Sequence, residues 1–161
     1  MRRAVFLDRD GVLLDHMGSI FPGVRSALEV LKNEGFLLIV VTNQPDVATG
    51  KMDKEVLRRV NNGLNMVLPL DDIIVCVHDD AAKCKCRKPK PGMLIDAAKK
   101  YDIDLPASWI IGDRWRDIGA GFAAGCRTIL VGTGYGEPFP AKPDYRVADL
   151  RAATDVILER A

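Results

Sequence analysis

Aspartates directly follow two short apolar runs of the chain, at Asp8-Arg9-Asp10 and at Gly112-Asp113. The carboxylates of Asp8, Asp10 and Asp113 converge if the two runs are neighbouring strands, and such crowding of negative charge needs a cation. Oxygen ligands favour magnesium among the common cations. We therefore expect a Mg2+ ion that neutralises charge while the Asp8 carboxylate attacks phosphorus, which is one route to an acyl-phosphate intermediate.

Asp10 and Asp117 extend this acidic pattern. Asp10 lies two residues beyond Asp8 on an extended strand end, so we expect its carboxylate on the same side, where it protonates a leaving alcohol and then deprotonates water. Gly11 allows the chain to turn sharply there. Asp117 follows Asp113 by one helical turn and is expected either to support the metal ligands or to be an alternate ligand.

Polar and basic side chains that suit a phosphate group occur at other strand ends. Thr42 and Asn43 can donate hydrogen bonds to phosphate oxygens, and Lys88 or Arg87 supplies positive charge as the transition state develops. The basic cluster around residues 83–90 is also typical of a solvated face. His16 either touches a substrate or is a solvated loop histidine. Suitable residues at four strand ends together favour a site over isolated helix caps, because open α/β sheets bind ligands there.

Four potential zinc ligands occur as two pairs with one residue between the members, Cys76 with His78 and Cys84 with Cys86. In an extended chain the members of such a pair point the same way and can hold one ion. We expect a four-coordinate, structural Zn2+ that makes the following loop rigid. The alternative is a buried strand cysteine, a surface histidine and two free thiols. Cys126, with small apolar neighbours, is interpreted as a core cysteine.

Five apolar, β-branched runs indicate the strands that must position these residues. They are Val5-Phe6-Leu7, Leu37 to Val41, Ile73 to Val77, Trp109-Ile110-Ile111 and Thr128 to Val131. Because polar residues do not alternate with the apolar ones, both faces of each strand are expected to be covered. That pattern is typical of a parallel sheet between two layers of helices.

Helical periodicity fills the segments between the runs. We predict helices over residues 24–32, 54–67, from 92 onward, 116–124 and 150–159. The buried side of the second helix is expected to comprise Val56, Val60, Leu64 and Val67, with Asp53 as the N-cap. Strand and helix therefore alternate along the whole chain.

This alternation predicts an α/β fold, a doubly wound, Rossmann-like parallel sheet with helices on both faces, in a single domain of residues 1–161. Ligands of such sheets bind at the carboxyl ends of the strands near a topological switch point, where the candidate residues lie. The glycine- and proline-rich stretch 132–143 is expected to be a surface loop at the same edge. Little of the chain remains to form a cap over the site.

Composition limits the partners that this chain can have. The sequence is 48% hydrophobic and 28% charged with a formal net charge of +1, which argues against a nucleic-acid partner and leaves small anions open. No apolar run approaches the roughly 20 residues of a membrane span, and the N-terminus lacks a signal-peptide pattern. We expect a cytoplasmic protein, in which clustered thiols hold metal more often than they form disulfides.

The motifs together resemble those of the haloacid dehalogenase (HAD) superfamily of phosphatases over nearly the whole chain. The four matching segments are 6–12 for the nucleophile motif, 41–44, 87–89 and the acidic segment 112–117. The resemblance implies Asp8 as the nucleophile and Asp10 as the acid and base. It implies Asp8, the main-chain carbonyl of Asp10 and Asp113 as magnesium ligands. The implied phosphate and substrate contacts are Thr42, Asn43, Lys88 and Arg87.

Within that superfamily the chain is similar to subclass IIIA, the D-glycero-D-manno-heptose 1,7-bisphosphate phosphatases and the related histidinol-phosphatase domains. The similarity rests on segments 8–11, 42–44 and 84–93, and those families also carry a zinc loop. Two loops at the substrate entrance are short: the segment between Asp15 and the first helix, and the stretch from His78 to Cys84, in which only five residues separate the two. In addition, Arg114, a predicted phosphate contact, stands where these enzymes often have lysine. The chemistry is expected to be retained, whereas the identity of the substrate stays open.

The sequence thus predicts a magnesium-dependent phosphatase that hydrolyses a phosphate monoester of a small metabolite. Heptose 1,7-bisphosphate, in carbohydrate metabolism, is the first candidate substrate and histidinol phosphate the second. A polynucleotide end phosphatase is a third alternative, although aromatic and basic residues are not interleaved as strand binding requires. A non-catalytic zinc-binding module is the fourth, and such a module is expected to have lost Asp8 or Asp10. We expect a monomer or weak oligomer without a membrane or nucleic-acid partner.

Overall fold

A parallel sheet of six strands forms the centre of the protein, and the computed structural model describes all residues from Met1 to Ala161. The strands are β1 (Ala4–Leu7), β2 (Leu37–Asn43), β3 (Asp72–Cys76), β4 (Trp109–Gly112), β5 (Arg127–Val131) and β6 (Tyr145–Val147). Their order in the sheet is β3-β2-β1-β4-β5-β6, and every neighbouring pair is parallel. The five predicted strands are present, and β6 is a further short strand at the edge.

Five α-helices cover the two faces of this sheet. They are α1 (Val24–Asn33), α2 (Lys54–Val67), α3 (Gly92–Tyr101), α4 (Trp115–Ala124) and α5 (Leu150–Arg160). Helices α1, α2 and α5 contribute to the core on one face, and α3 and α4 contribute to the core on the other. The predicted doubly wound α/β sheet is therefore confirmed. None of the helices combines the length and the apolar composition needed to cross a membrane.

The side chains of the central strands alternate between these two cores. In β1, Val5 and Leu7 pack on the side of α1 and α5, whereas Ala4 and Phe6 pack on the side of α3 and α4. All four residues are fully buried. Each position of a central strand therefore requires an apolar residue, which explains why the runs in the sequence are continuous rather than alternating.

The buried face of α2 differs from the predicted one. Leu64 is buried as expected, but Val56, Val60 and Val67 are 48%, 38% and 47% exposed, and Leu57 is the other buried residue. Helix α2 packs against β3, the edge strand of the sheet. Because the sheet ends beneath it, only part of its apolar face finds a partner.

The topological switch point lies between β1 and β4. Chain order runs from β1 outward through β2 to β3 on one side, and α3 then carries the chain back to β4 on the other side. Leu7 is paired with Ile111, and the N–H of Asp8 donates to the carbonyl of Ile111 at 3.0 Å. The segments that follow β1 and β4 therefore emerge side by side, as ligand binding in such sheets requires.

The connection between β5 and β6 contains the glycine- and proline-rich stretch predicted to be a surface loop. It includes one turn of 3-10 helix, Gly134–Gly136. Tyr135 in this turn donates a hydrogen bond to the carboxylate of Asp113, which follows β4. The loop thus lies at the edge of the sheet that holds the candidate residues.

Gly121 and Gly63 allow the packing of α4 to be tested with a matched pair of substitutions. A Cβ at Gly121 would collide with Ile110 and lie 2.8 Å from Thr128 Cγ2, whereas Gly63 of α2 has nothing within 4 Å. We expect Gly121→Ala to lower the free energy of unfolding by about 1–3 kcal/mol, because β-branched neighbours cannot yield easily. Gly63→Ala should raise it by about 0.5–1 kcal/mol. Urea denaturation measures both, and equal effects would contradict the close approach of α4 to the sheet.

Candidate active site

The carboxyl ends of β1 and β4 bring the predicted acidic side chains together. Asp8, Asp113 and Asp117 are buried, and each offers a carboxylate oxygen within 4.8 Å of the other two. These residues line a cavity of about 910 Å3 at the switch point. The other predicted site residues on the cavity wall are Asp10, His16, Asn43, Arg87, Lys88 and Arg114. Asp8 and Asp113 thus share one cavity.

The buried ammonium group of Lys88 holds two of the carboxylates. Its Nζ donates to Asp8 Oδ1 at 3.0 Å, to Asp117 Oδ1 at 2.6 Å and to the carbonyl oxygen of Val41 at 2.8 Å. These bonds use all three N–H groups of the ammonium. Although burial alone lowers it, the charges of Asp117 and Asp8 raise the pKa of Lys88 above its ordinary value. Lys88 is therefore a permanent cation inside the site.

Charge compensation in this cluster is incomplete. Burial and the nearby charge of Asp113 raise the pKa of Asp8 to about 6, against the opposing effect of Lys88. Burial and the charge of Asp8 also raise the pKa of Asp117 to about 6. When all three carboxylates of the cluster are ionised, Lys88 neutralises one charge and two remain. A divalent cation would supply the missing charge.

Asp113 carries the atom that most directly indicates a metal ligand. Its Oδ1 is buried without a hydrogen-bond partner, whereas its Oδ2 accepts from the hydroxyl of Tyr135 at 2.5 Å. A buried carboxylate oxygen without a partner is costly unless a cation binds it. Gly11 makes room for this carboxylate, because its φ is +87 and a Cβ there would collide with Asp113 Oδ2. The all-oxygen donor set fits Mg2+.

The carboxylate of Asp10 is turned towards Arg9 and away from the three-carboxylate cluster. Arg9 Nε and Nη2 each donate to one Asp10 oxygen at 3.1 Å, and Arg9 Nη1 donates to Asn61 of α2 at 3.0 Å. Two hydrogen bonds to a buried guanidinium are more favourable for the Asp10 carboxylate than a position beside the negative charges of Asp8 and Asp113. The expected convergence of all three motif aspartates is thus not the conformation seen, although Asp10 lines the same cavity.

The two polar residues at the end of β2 have different surroundings. Thr42 is 1% exposed and its hydroxyl donates to Gln44 Oε1 at 2.9 Å, so it is absent from the cavity wall. Asn43 lines the cavity, accepts from the N–H of Lys88 at 3.0 Å and donates to the carbonyl of Lys88 at 3.1 Å. Asn43 therefore positions Lys88. The hydroxyl of Thr42 is engaged by Gln44, and its contact with a phosphate stays a prediction.

Besides Arg9, three further arginines on the cavity wall are already paired with carboxylates. Asp80 accepts from Arg87 Nε at 2.7 Å and from Arg116 Nη1 at 3.2 Å. Arg114 donates two hydrogen bonds to Glu137, at 3.0 and 2.8 Å. Arg87 and Arg114 are predicted substrate contacts, whereas no motif indicates Arg116. The predicted contacts therefore reach the cavity with their guanidinium groups fixed by acidic partners.

The predicted zinc ligands meet between β3 and α3. The ligand atoms of Cys76, His78, Cys84 and Cys86 all lie within 4.8 Å of one another. Cys84 Sγ lies 3.7 Å from Cys76 Sγ and 3.6 Å from Cys86 Sγ, close to the edge of about 3.8 Å of a tetrahedron with Zn–S bonds of about 2.3 Å. His78 Nδ1 lies 3.4 Å from Cys76 Sγ and 3.2 Å from Cys86 Sγ. Cys86 Sγ lies only 2.7 Å from Cys76 Sγ, which is shorter than that edge. The four ligand atoms are therefore clustered as one metal site requires, without forming a regular tetrahedron.

The electrostatics of the three thiols also favour a cation. Burial raises the pKa of Cys76, and burial together with the neighbouring thiols raises that of Cys86 to about 12. Although burial opposes it, the backbone N–H of Arg87 helps to lower the pKa of Cys84 to about 6. Without a metal, only one of the three thiols ionises readily at neutral pH. A bound Zn2+ deprotonates coordinating thiols outright.

Sequence patterns did not identify Tyr135, Arg9 or Asp80 as contributors to the site. Tyr135 stands between Gly134 and Gly136 and itself has a φ of 59. A tyrosine flanked by glycines in a loop is a signal of unusual backbone geometry, and such geometry often marks a functional segment. Arg9 and Asp80 carry no comparable signal, because only their partners on other elements reveal what they do.

Comparisons with known proteins agree with this geometry. Residues 85–153 match the family model described as HAD-hydrolase-like. The D-glycero-beta-D-manno-heptose-1,7-bisphosphate 7-phosphatase of Pasteurella multocida is 38% identical over 154 residues, with 83% of this chain and 84% of the relative covered. That of Photorhabdus laumondii is 39% identical, with 81% of each chain covered. The crystal structure of D,D-heptose 1,7-bisphosphate phosphatase from Bordetella bronchiseptica, complexed with magnesium and phosphate, has a TM-score of 0.85 at 32% identity and 99% coverage of both chains.

Replacement of Lys88 by methionine tests whether its ammonium group compensates the buried carboxylates. In magnesium-free buffer at pH 7, we expect Lys88→Met to lower the free energy of unfolding by about 3–5 kcal/mol, because Asp8 and Asp117 lose their partner. Folding raises the pKa of both carboxyls, so their ionisation destabilises the folded state as the pH rises through about 6. The loss should therefore shrink when the same urea denaturation is done at pH 5.

Lys100→Met is the matched control for this substitution. Lys100 pairs with Asp72 at 3.0 Å on the surface, so its removal should change the stability little at either pH. A Lys88→Met variant as stable as the Lys100→Met variant at pH 7 would contradict the compensating role of Lys88.

Proposed function

Because the chain belongs to the haloacid dehalogenase (HAD) family of hydrolases and its relatives are phosphatases, we propose that it hydrolyses D-glycero-D-manno-heptose 1,7-bisphosphate at the 7-phosphate. The products are inorganic phosphate and the sugar that keeps its phosphate at carbon 1. A small phosphorylated sugar is the only partner that this reaction requires. The proposal assigns the enzyme to carbohydrate metabolism.

The observation that carries the proposal is the partnerless Oδ1 of Asp113 next to Asp8 in a cavity that Lys88 also lines. HAD phosphatases use Mg2+. The ligands that we assign to it are the carboxylates of Asp8 and Asp113 and the main-chain carbonyl of Asp10. When bound, Mg2+ supplies positive charge to the phosphate oxygens during attack at phosphorus.

Asp8 is the proposed nucleophile. Lys88 Nζ and the backbone N–H of Arg9 both donate to its Oδ1, at 3.0 and 2.9 Å, so we assign Oδ2 to the attack. A bond forms between Oδ2 and phosphorus while the bond from phosphorus to the sugar oxygen breaks, which gives an aspartyl phosphate. With a pKa of about 6, Asp8 is mostly ionised at pH 7 even before a metal binds.

Asp10 is the proposed acid and base. In its protonated form it gives the proton to the leaving sugar oxygen, and as a carboxylate it takes a proton from the water that attacks the aspartyl phosphate. That second step releases phosphate and restores Asp8. The side chain of Asp10 must leave Arg9 to do this, and because it is 54% exposed its rotation does not disturb the core.

The cationic and amide side chains of the cavity are the proposed contacts of the substrate. Lys88 and Asn43 face the reacting phosphate, where the ammonium offsets the charge that develops on its oxygens. Arg87 and Arg114 lie on the cavity wall and are assigned to the rest of the substrate. Thr42 stays a proposed phosphate contact, for which its hydroxyl would exchange the hydrogen bond to Gln44 for one to the phosphate.

A structural Zn2+ bound by Cys76, His78, Cys84 and Cys86 completes the proposal. Four protein ligands leave no open position for water, which is the mark of a structural rather than a catalytic zinc site. Thiolate ligands persist in a reducing compartment, in keeping with the cytoplasmic location that we propose. We also assign residues 1–161 to one domain, because the ligands of both metals follow strands of one sheet.

Substrate preference tests the proposed function directly. Phosphate release is measured with Mg2+ on D-glycero-D-manno-heptose 1,7-bisphosphate, on histidinol phosphate and on a panel of nucleotides. We expect the highest kcat/KM on the heptose bisphosphate, loss of activity with EDTA and recovery with added Mg2+. A preference for histidinol phosphate would replace the proposed substrate, and no release from any compound would contradict the phosphatase itself.

Two variants show whether the measured release depends on Asp8. Asp8→Asn should lower kcat roughly a thousand-fold or more on every substrate, because the amide cannot form the phosphoenzyme. Asp155→Asn, at an exposed position of α5, should leave kcat unchanged. Full activity of Asp8→Asn would refute covalent catalysis by this residue.

Metal analysis of the purified protein tests the zinc site. We expect about one zinc per chain. Cys84→Ser should lose this zinc and melt at a lower temperature, because metal binding and folding of the loop are coupled. Cys126→Ala, which removes a buried thiol outside the cluster, should keep the zinc. A stable, zinc-free protein would overturn this site.

A further inference from the structure

Tyr135 contacts the candidate magnesium site from a loop that none of the catalytic motifs includes. Its hydroxyl donates to Asp113 Oδ2 at 2.5 Å. The other oxygen of the same carboxylate, Oδ1, is buried without a partner. A carboxylate whose one oxygen accepts a hydrogen bond cannot rotate freely, so its other oxygen points in a fixed direction.

The phenol ring of Tyr135 is itself held in place. The guanidinium of Arg114 lies over the ring, 5.5 Å from its centroid. Arg114 is fixed in turn by its two hydrogen bonds to Glu137, which follows Tyr135 in the same loop. Contacts therefore run in series from Glu137 through Arg114 to Tyr135 and end on Asp113.

The backbone around Tyr135 is shaped to present this side chain. Tyr135 has a φ of 59, and Gly134 and Gly136 on either side also have positive φ values. The ring of Phe139 packs so closely on Gly134 that a Cβ there would lie 2.7 Å from it. A left-handed backbone is costly for a tyrosine, and residues in such conformations occur mainly where the surrounding structure enforces them and function uses them. Although 62% exposed, Tyr135 is therefore more than a surface residue.

We infer that Tyr135 is a positioning residue for magnesium, whose hydroxyl holds Asp113 so that Oδ1 faces the cation. This inference rests on the proposed function, which assigns Asp113 to Mg2+. Donors that hold the second atom of a metal ligand orient that ligand and raise its affinity for the ion, typically by about 10–100-fold. The opposite role, in which the hydroxyl competes with the cation for Asp113, predicts an effect of the opposite sign.

Tyr135→Phe separates these two roles, because it removes the hydroxyl and keeps the ring under Arg114. The zinc-loaded full chain is titrated with MgCl2 alone by isothermal titration calorimetry. We expect the Kd for Mg2+ to rise by about 10–100-fold. Glu137→Gln, which weakens the support of Arg114, should shift the Kd in the same direction by a smaller factor.

Tyr101→Phe is the matched control. Tyr101, on α3, also donates through its hydroxyl to a carboxylate, that of Asp72, at 2.6 Å. It does not line the cavity that contains the acidic cluster. This variant loses the same type of hydrogen bond and should bind Mg2+ like the unmodified chain. A general effect of tyrosine removal is thereby distinguished from an effect on Asp113.

A second measurement separates positioning from damage to the fold. If Tyr135 acts through the metal ligand, kcat of Tyr135→Phe recovers at saturating Mg2+, while the Mg2+ concentration for half-maximal activity stays raised. Unchanged or tighter Mg2+ binding by Tyr135→Phe would overturn the inference and leave the proposed function intact. A lack of Mg2+ binding by the unmodified chain would overturn both.

Discussion

The ammonium group of Lys88 is the interaction on which the candidate site depends. Two carboxylates 80 and 29 residues away along the chain meet it in the interior, and neither is stable there as an ion without it, because burial disfavours charge. Lys88 also donates to the carbonyl of Val41 in β2. One side chain thus joins the ends of β1 and β2 and the start of α4. Its single positive charge also determines how much negative charge of the carboxylates is left for a metal ion to neutralise.

Lys88 lies in a loop that follows the thiol cluster in the chain. Cys86 lies two residues before Lys88, and Cys84 Sγ accepts from the N–H of Arg87 at 3.4 Å. At the far end of this segment the N–H of Gly92 donates to the carbonyl of Lys85 at 3.1 Å, an approach that a Cβ at Gly92 would prevent. Asn43 holds the backbone of Lys88 from β2 by two hydrogen bonds. A metal ion at the thiols, as we propose, would act on the acidic cluster by fixing a short, closed loop.

Local sequence patterns were sufficient to predict five of the six strands, all five α-helices and the meeting of Asp8 with Asp113. They were sufficient because continuous apolar runs and the polar residues after them are properties of neighbouring residues in the chain. They failed where the burial or direction of a side chain depends on a partner in another element of the fold. The apolar face of α2 is covered only as far as the sheet extends, so Val60 is partly exposed, and Asp10 turns to Arg9, which α2 supports through Asn61. No periodicity in one segment contains such information.

Two arginines on the cavity wall, Arg87 and Arg114, are ordered by carboxylates before an anion binds. Long side chains lose rotamer freedom when they bind, and this cost is smaller for groups that are already ordered. Asp80 orders Arg87, and Glu137 orders Arg114. An anionic substrate that enters the cavity would meet guanidinium groups already in place. The Asp80 carboxylate is 69% exposed and can return to water, whereas that of Glu137 is only 23% exposed.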